Sequence, residues 1–313
     1  MDQLFTLRTF VAVARQGSFT GASRHLRISP SVATRAVAQL EERLGLALLT
    51  RTTRSVRLTE RGQIYLESCQ RLLEDLDEAD RRVRGENAEP RGELHLSAPI
   101  VFGRLHVLPV VQKLLAAHPA LSIRMHLSDR NQHLVDEGID AAVRLGELKD
   151  SSLIALKVGT VRRVLVASPH YVKQRGTPRS PAELSRHELI AFESLDATNE
   201  WRFGEKEKPV RIQPRLILNS ADTAIAAAEQ GVGIARTLSY QVADAVLAGR
   251  LVLLLGAFAP PLVPVSVIYP GRRSTSVNVG AFVRTARSHF EEHPLLPVEA
   301  WRPPRPAGGK ARR

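Results

Sequence analysis

Cysteine is almost missing from this chain of 313 residues, where Cys69 stands alone. One thiol cannot close an intramolecular disulfide or build a cysteine-based zinc site. A secreted, cross-linked scaffold is thereby excluded, and a reducing, cytoplasmic setting is expected. The first residues, with Asp2 and Arg8 inside a short apolar pattern, lack the charged, apolar and small-residue layout of an export signal. Long apolar runs are also scarce. Leu251 to Pro270 carries no charge, but Pro260, Pro261 and Pro264 would break a membrane helix. That stretch reads as two buried strands around a proline-rich turn, and no membrane partner is expected. Catalytic signatures are absent as well: there is no GxSxG, HExxH, Walker A or CxxC motif. Gly231-Val232-Gly233 is a fragment of a dinucleotide fingerprint, but it follows a helix and has Arg236 in the place of the third glycine. It reads as a helix end running into a strand. His289 and His293 could share a helix face, yet Pro294 ends that helix and no acidic or cysteine partner is fixed nearby. No metal, cofactor or catalytic residue is therefore assigned, and the chain is not expected to be an enzyme.

What is present is an ordinary globular composition, 43% hydrophobic and 24% charged, in a length that suits two or three domains. The formal charge of +12 suggests a polyanion partner, although a solvated basic surface would give the same surplus. Its distribution is more telling. Residues 1–62 hold ten arginines against Asp2, Glu41, Glu42 and Glu60, a net charge of +6, whereas residues 63–86 are net −3. Residues 291–313 read as a basic tail without fixed structure.

Leu4, Leu7, Val11 and Ala14 recur at helical spacing, so residues 3–15 are expected to form an amphipathic helix ended by Gly17. Ser18 caps a second, short helix from Phe19 to Leu26. Ser29 suits an N-cap and Pro30 the first position of a third helix, which runs to Leu44 with Val32, Val37, Leu40 and Leu44 inward and Gly45 as its stop. Two helices around a tight turn, the second opening with hydroxyl residues, make a helix-turn-helix. Short hydroxyls at a positive helix end can reach phosphates and base edges. Leu48 to Leu58 then alternates like a hairpin, whose Arg51, Arg54 and Arg57 suit a wing on the DNA backbone or minor groove. A small helical bundle with a solvated basic hairpin fits the same pattern.

Thr59 caps a further helix in which Tyr65, Cys69, Leu72, Leu76, Ala79 and Val83 are spaced as a heptad seam. Leu66 and Leu73 widen the stripe, which also suits packing on the winged domain. After a linker over 85–92, short strands (94–97, 121–127, 141–145, 164–167, 189–192 and 216–219) alternate with helices (105–118, 131–138 and 222–231). That rhythm implies an open α/β sheet, whose ligands bind beyond the carboxyl ends of its strands. Ser97, Ser128, Ser168, Asn219 and Ser220 stand at such ends, where backbone N–H groups suit an anion. Taken alone, these residues read first as plain N-caps, which any α/β domain needs.

The segments "FVAVARQGSFTGASRHL", "ISPSVATRAVAQLEERLG" and "LLTRTTRSVRLTERG" together resemble the winged helix-turn-helix of LysR-type transcriptional regulators. "GELHLSAP", "FGRLHVLPVVQKLLAAHPALSIRMHLSDR", "DEGIDAAVRLG", "VLVASPHYV" and "EQGVGIAR" are similar, more loosely, to that family's effector-binding domain. The resemblance implies a winged domain over 1–58, a linker and dimerisation helix with hinge over 59–91, and a two-lobed, periplasmic-binding-protein-like α/β domain over 92–290. Lobe I would span 92–161 and 269–290 and lobe II 162–265, with crossings near Thr160 to Arg163 and Val265 to Tyr269. It further implies double-stranded DNA with dyad symmetry as partner, contacted by Ser18, Ser29, Pro30, Ser31, Thr34, Arg35, Arg51 and Arg54. Thr34 departs from the Ser usual there. Dimers or tetramers would form through the seam and through effector-domain contacts. A small-molecule effector, with an organic anion as the expected class, would lie between the lobes. Its contacts would be Ser97, Pro99, Ile100 and Ser128 on one wall, Ser168, Asn219 and Ser220 on the other, and Arg130 or Arg144 on a carboxylate. The rival readings are a solute-binding protein, or an α/β enzyme with an accessory DNA-binding domain.

Overall fold

A computed structural model of the chain describes residues 2–51, 56–83, 89–130, 134, 137–148, 152–196, 199–206, 208–273 and 276–295. Arg54, most of the expected helix over 131–138 and the end of the basic tail lie outside the described residues, as do the side chains of Arg51, Ala79 and Val83. The chain folds as two units, Met1–Glu89 and Pro90–Arg313.

In the first unit, helices α1 (Gln3–Gln16), α2 (Phe19–Leu26) and α3 (Pro30–Leu44) precede a hairpin of β1 (Leu49–Arg51) and β2 (Val56–Leu58), then the long α4 (Glu60–Val83). The caps explain the boundaries. Ser18 accepts from the Gly21 N–H, Ser29 from Val32, and Thr59 from Gly62, while Gly45 closes α3 at φ +66°. The inward face of α3 is Ala33, Ala36, Val37 and Leu40; Val32 and Leu44 are only half-buried. Small side chains take those inward places because α1 and α2 cross α3 closely.

The seam expected on α4 is divided. Cys69 is buried at 4% exposure in the core of its own unit, beside Phe10, Leu40 and Leu66, and the Tyr65 ring lies 5.9 Å from that of Phe10. Intramolecular packing on α1 thus occupies these two positions. Leu72 is 49% exposed, and Ile64, absent from the expected seam, is 63% exposed. Burial also raises the Cys69 thiol to about 11, so it stays protonated and inert at neutral pH.

The second unit opens with β3 (Gly92–Ala98), so Gly92 belongs to a strand and not to the linker. The following helix starts earlier than expected, as α5 (Ile100–Phe102), one π turn (Gly103–Val107) and α6 (Leu108–Ala117). Pro109 has no N–H to donate and would crowd the carbonyl four residues back, which accounts for the widened turn just before it. Then come β4 (Leu121–Leu127), β5 (Ala141–Leu145) and β6 (Leu153–Val161). The chain crosses at Arg162 into β7 (Arg163–Ala167), α7 (Pro169–Arg175), β8 (Leu189–Phe192), α8 (Glu193–Asp196), the hairpin β9 (Glu200–Phe203) and β10 (Lys208–Arg211), and β11 (Leu216–Leu218). Next are α9 (Ala221–Glu229), β12 (Ile234–Leu238), α10 (Ser239–Leu247) and β13 (Val252–Leu254). Finally β14 (Val263–Pro270) and α11 (Val277–Glu292) return.

Two five-stranded sheets result, ordered β4-β3-β5-β14-β6 and β11-β8-β12-β7-β13. Strand β14 pairs with β6 from Val263 to Pro270 and with β5, so the return crossing precedes Val263. The expected crossing at Val265 to Tyr269 falls inside lobe I instead. Strand β14 is buried without a break from Val265 to Ile268, hence on both faces, as a central strand requires.

Candidate functional site: nucleic-acid interface and inter-lobe cleft

The first candidate surface is the N-terminal half of α3. Once Ala33, Ala36, Val37 and Leu40 turn inward, helical geometry leaves Pro30, Ser31, Thr34 and Arg35 on the opposite face, and all four are exposed. Ser29 and Ser31 are joined Oγ to Oγ at 2.9 Å, and the Thr34 hydroxyl donates to the Pro30 carbonyl at 2.9 Å. The hydroxyls are thereby held in place with acceptor capacity left over. Ser18 is different: its hydroxyl accepts the Gly21 N–H, a structural cap at the start of α2. In the wing, Arg57 is exposed and stands opposite Thr50. Glu41, missed in the sequence, accepts from the Leu48 and Leu49 N–H groups at 2.8 and 3.0 Å and so anchors the wing to α3. The signal that could have found it is spacing: the inward stripe Ala33, Ala36, Val37 and Leu40 continues to position 41, whereas Glu42 falls on the exposed side.

The second candidate lies where the two sheets of the second unit face one another. Strands β3, β4 and β5 run parallel, so Ser97, Pro99, Ile100, Ser128 and Arg144 gather at one sheet edge. Ser97 is 2% exposed and Ile100 40%. Ser128 accepts from the Arg130 N–H, and the Ile100 N–H donates to Asp129 at 3.1 Å. Burial, opposed by that hydrogen bond and reinforced by Asp222, raises the Asp129 carboxyl above its usual range. Arg144 is shifted down by burial. On the facing lobe, Asn219 is exposed beyond β11 and Ser220 caps α9, accepting from Thr223. The lobes meet directly: Arg104 reaches Asp222 at 3.2 Å, and Val101, a lobe I residue, is 2% exposed inside the lobe II core with Ala224 and Val242.

Ser168 does not join this group. Strand β7 pairs antiparallel with β12, whereas β8 and β11 run parallel to β12 and to each other. Its C-terminal end therefore falls at the far edge of the sheet, where the Ser168 hydroxyl lies 3.5 Å from the position a Cβ on Gly231 would take. There Ser168 is 3% exposed and caps α7 through the Tyr171 N–H.

Behind the cleft, His106 sits between Phe102 at 4.7 Å and Tyr240 at 5.6 Å. Burial first, and then His289, pull its pKa down to about 4 from 6.5. The folded protein therefore refuses a proton that the unfolded chain accepts. Stability is full above pH 6.5 and falls as the pH drops toward 4, by at most about 3 kcal/mol from this group. Urea unfolding at stepped pH should show that slope and show it flattened in His106→Leu; equal slopes in the two proteins would reject it.

Comparison with known proteins agrees with this geometry. Residues 4–63 match the bacterial regulatory helix-turn-helix domain of the lysR family, and residues 87–291 match the LysR substrate binding domain. An HTH-type transcriptional repressor of Pseudomonas aeruginosa is 36% identical over 300 residues, covering 95% of both chains. The regulator DmlR of Escherichia coli is 32% identical over 290 residues, covering 92% of this chain and 94% of its own. Among solved structures, CrgA of Neisseria meningitidis, a LysR-type regulator, shares 28% identity at a TM-score of 0.59, covering 91% of this chain and 98% of its own. AphB of Vibrio cholerae shares 26% at 0.58, covering 92% and 99%. With a winged helix-turn-helix, a long connecting helix and a two-lobed α/β domain, this chain belongs to the LysR family of DNA-binding transcriptional regulators, whose activity an effector bound in the C-terminal domain controls.

Proposed function

We propose that this regulator acts in the cytoplasm, without enzymatic activity, as a dimer or higher oligomer on an operator with dyad symmetry. The observation that carries the reading is the exposed face of α3, where Pro30, Ser31, Thr34 and Arg35 surround a capped helix start while the apolar face is fully used inside. Pairing through the outer face of α4, at Ile64, Leu72 and Leu76, puts two such helices on one duplex. The effector sits between the lobes, near Ser97, Ser128, Asn219 and Ser220. An organic anion suits Arg130 and Arg144.

The test is operator selection followed by binding at several salt concentrations. If Arg35 reads a base edge, Arg35→Ala costs about 1–3 kcal/mol and relaxes specificity at one position. If it holds a phosphate, all sequences weaken alike and the salt slope drops by about one. Unchanged affinity together with an unchanged slope removes Arg35 from the interface.

A further inference from the structure

The second sheet has unequal faces. Residues alternate along β7 and β12, so Val164, Val166 and Ala235 face α9 and α10. Leu165 and Ile234 face the other way, toward Trp201 and Phe203 of the β9–β10 hairpin. Arg163 and Arg236 share that second face, being two residues from Leu165 and Ile234. The hairpin covers only part of it. Toward the lobe-facing edge it leaves a cavity of about 210 Å³.

Three properties define this cavity. Its floor is apolar, built from Leu165, Phe203, Leu253 and Leu254. Its walls carry four arginines: Arg162, Arg163, Arg202 and Arg236. The last is 7% exposed, donates to the Leu195 carbonyl at 2.6 Å and lies 5.5 Å over the Trp201 ring. Arg202 pairs with Glu200 at 3.9 Å. Finally, both connections between the lobes border it, Arg162 on the outward crossing and Leu255, Gly256, Ala259 and Pro260 on the return. The Gly204 N–H ties the hairpin to that return at the Phe258 carbonyl, 2.8 Å away.

We propose that this cavity is a second ligand site, separate from the inter-lobe cleft, for a small carboxylate with an apolar body of about the size of benzoate. A guanidinium matches a carboxylate with two hydrogen bonds, and the floor takes the ring. The volume is below the roughly 300–1,000 Å³ of drug-sized pockets, which selects a compact ligand. Because the occupant touches both crossings, it fixes the hinge on which the lobes turn.

The probe is benzoate, titrated into the full chain carrying Trp301→Phe, which leaves Trp201 as the sole tryptophan of two. Trp201 emission should change saturably, and benzamide, which lacks the charge, should bind about tenfold more weakly. Gly256→Leu should abolish the response, since a Cβ there meets nothing within 4 Å and the added side chain has the cavity to occupy. Arg163→Gln should weaken binding about tenfold while leaving the fold in place. Asn219→Ala, in the cleft, should leave the titration unchanged. The proposal is overturned if benzoate produces no saturable response, if Gly256→Leu and Arg163→Gln titrate like the parent, or if Asn219→Ala alone removes the signal. The last result would assign benzoate to the cleft and leave the reading of that site standing.

Discussion

A chain carrying Leu72→Glu and Leu76→Glu is expected to sediment as a monomer and to lose about 10²–10⁴-fold in operator affinity, the factor supplied by linking two binding modules. The reasoning starts from α4. Its inner face is committed, with Leu66 at 8% and Cys69 at 4% exposure against α1. Its outer face leaves Ile64 and Leu72 exposed eight residues apart, two helical turns on one side. Leu72 is exposed and Leu76 half-buried, and a change at a surface position costs the isolated unit little, within about 0.5 kcal/mol. In a pair of helices the same change places carboxylates opposite one another in an apolar seam. The large loss should therefore appear in assembly and DNA binding and not in the monomer's fold. A double variant that remains a dimer with parental affinity would show that the outer face of α4 is ordinary surface.

Replacing Gly62 with alanine should be nearly as damaging, by a different route. A Cβ at this position would lie 1.9 Å from the Leu48 carbonyl oxygen and 2.9 Å from its carbon, both backbone atoms that no rotamer change can move. That oxygen already accepts from the Thr59 N–H at 2.9 Å and from its hydroxyl at 3.2 Å. The first turn of α4 and the start of the wing must then separate, costing about 3 kcal/mol at the upper end of overpacking effects. For a unit of this size that corresponds to a melting point lower by about 10 °C or more. Differential scanning calorimetry should show the transition of the first unit move down while that of the second unit stays. DNA binding should fall with it, because β1 follows directly from Leu48. A melting profile indistinguishable from the parent's would mean that the wing junction yields freely.

Much of the first unit is legible in its residues because its signals are local. Ser18, Ser29 with Pro30, and Gly45 each mark a helix end through hydrogen bonds formed within three or four residues, and those ends lie where the pattern puts them. What escapes is whatever depends on a distant partner. Periodicity made Tyr65 and Cys69 part of an intermolecular seam, because a stripe records that something is covered and not what covers it. Ser168 reads as a cleft residue because a strand's direction in the sheet is invisible from its own residues; β7 enters from the other lobe and runs against its neighbours. The end of lobe II is not visible in the residues because Val263 to Pro270 is one largely apolar strand, and only its pairing with β6 reveals which sheet holds it. Glu41 and the arginine-lined cavity share that origin: alternation along β7 and β12 aligns Arg163 with Arg236 only once the strands are paired.

Val101 has a consequence for the resting state of the second unit. Its side chain belongs by sequence to lobe I and by packing to lobe II, so any widening of the cleft must draw it out of an apolar core. Exposing a buried valine costs about 1.5–3 kcal/mol. At roughly 2 kcal/mol this one contact by itself favours the narrow arrangement by a factor of about 30. Through this contact, a molecule that enters only the wide arrangement has its apparent affinity weakened by that factor. A molecule that fits the narrow one meets almost no such handicap but gains almost no population to shift. The valine thus biases the regulator toward answering ligands that prise the lobes apart.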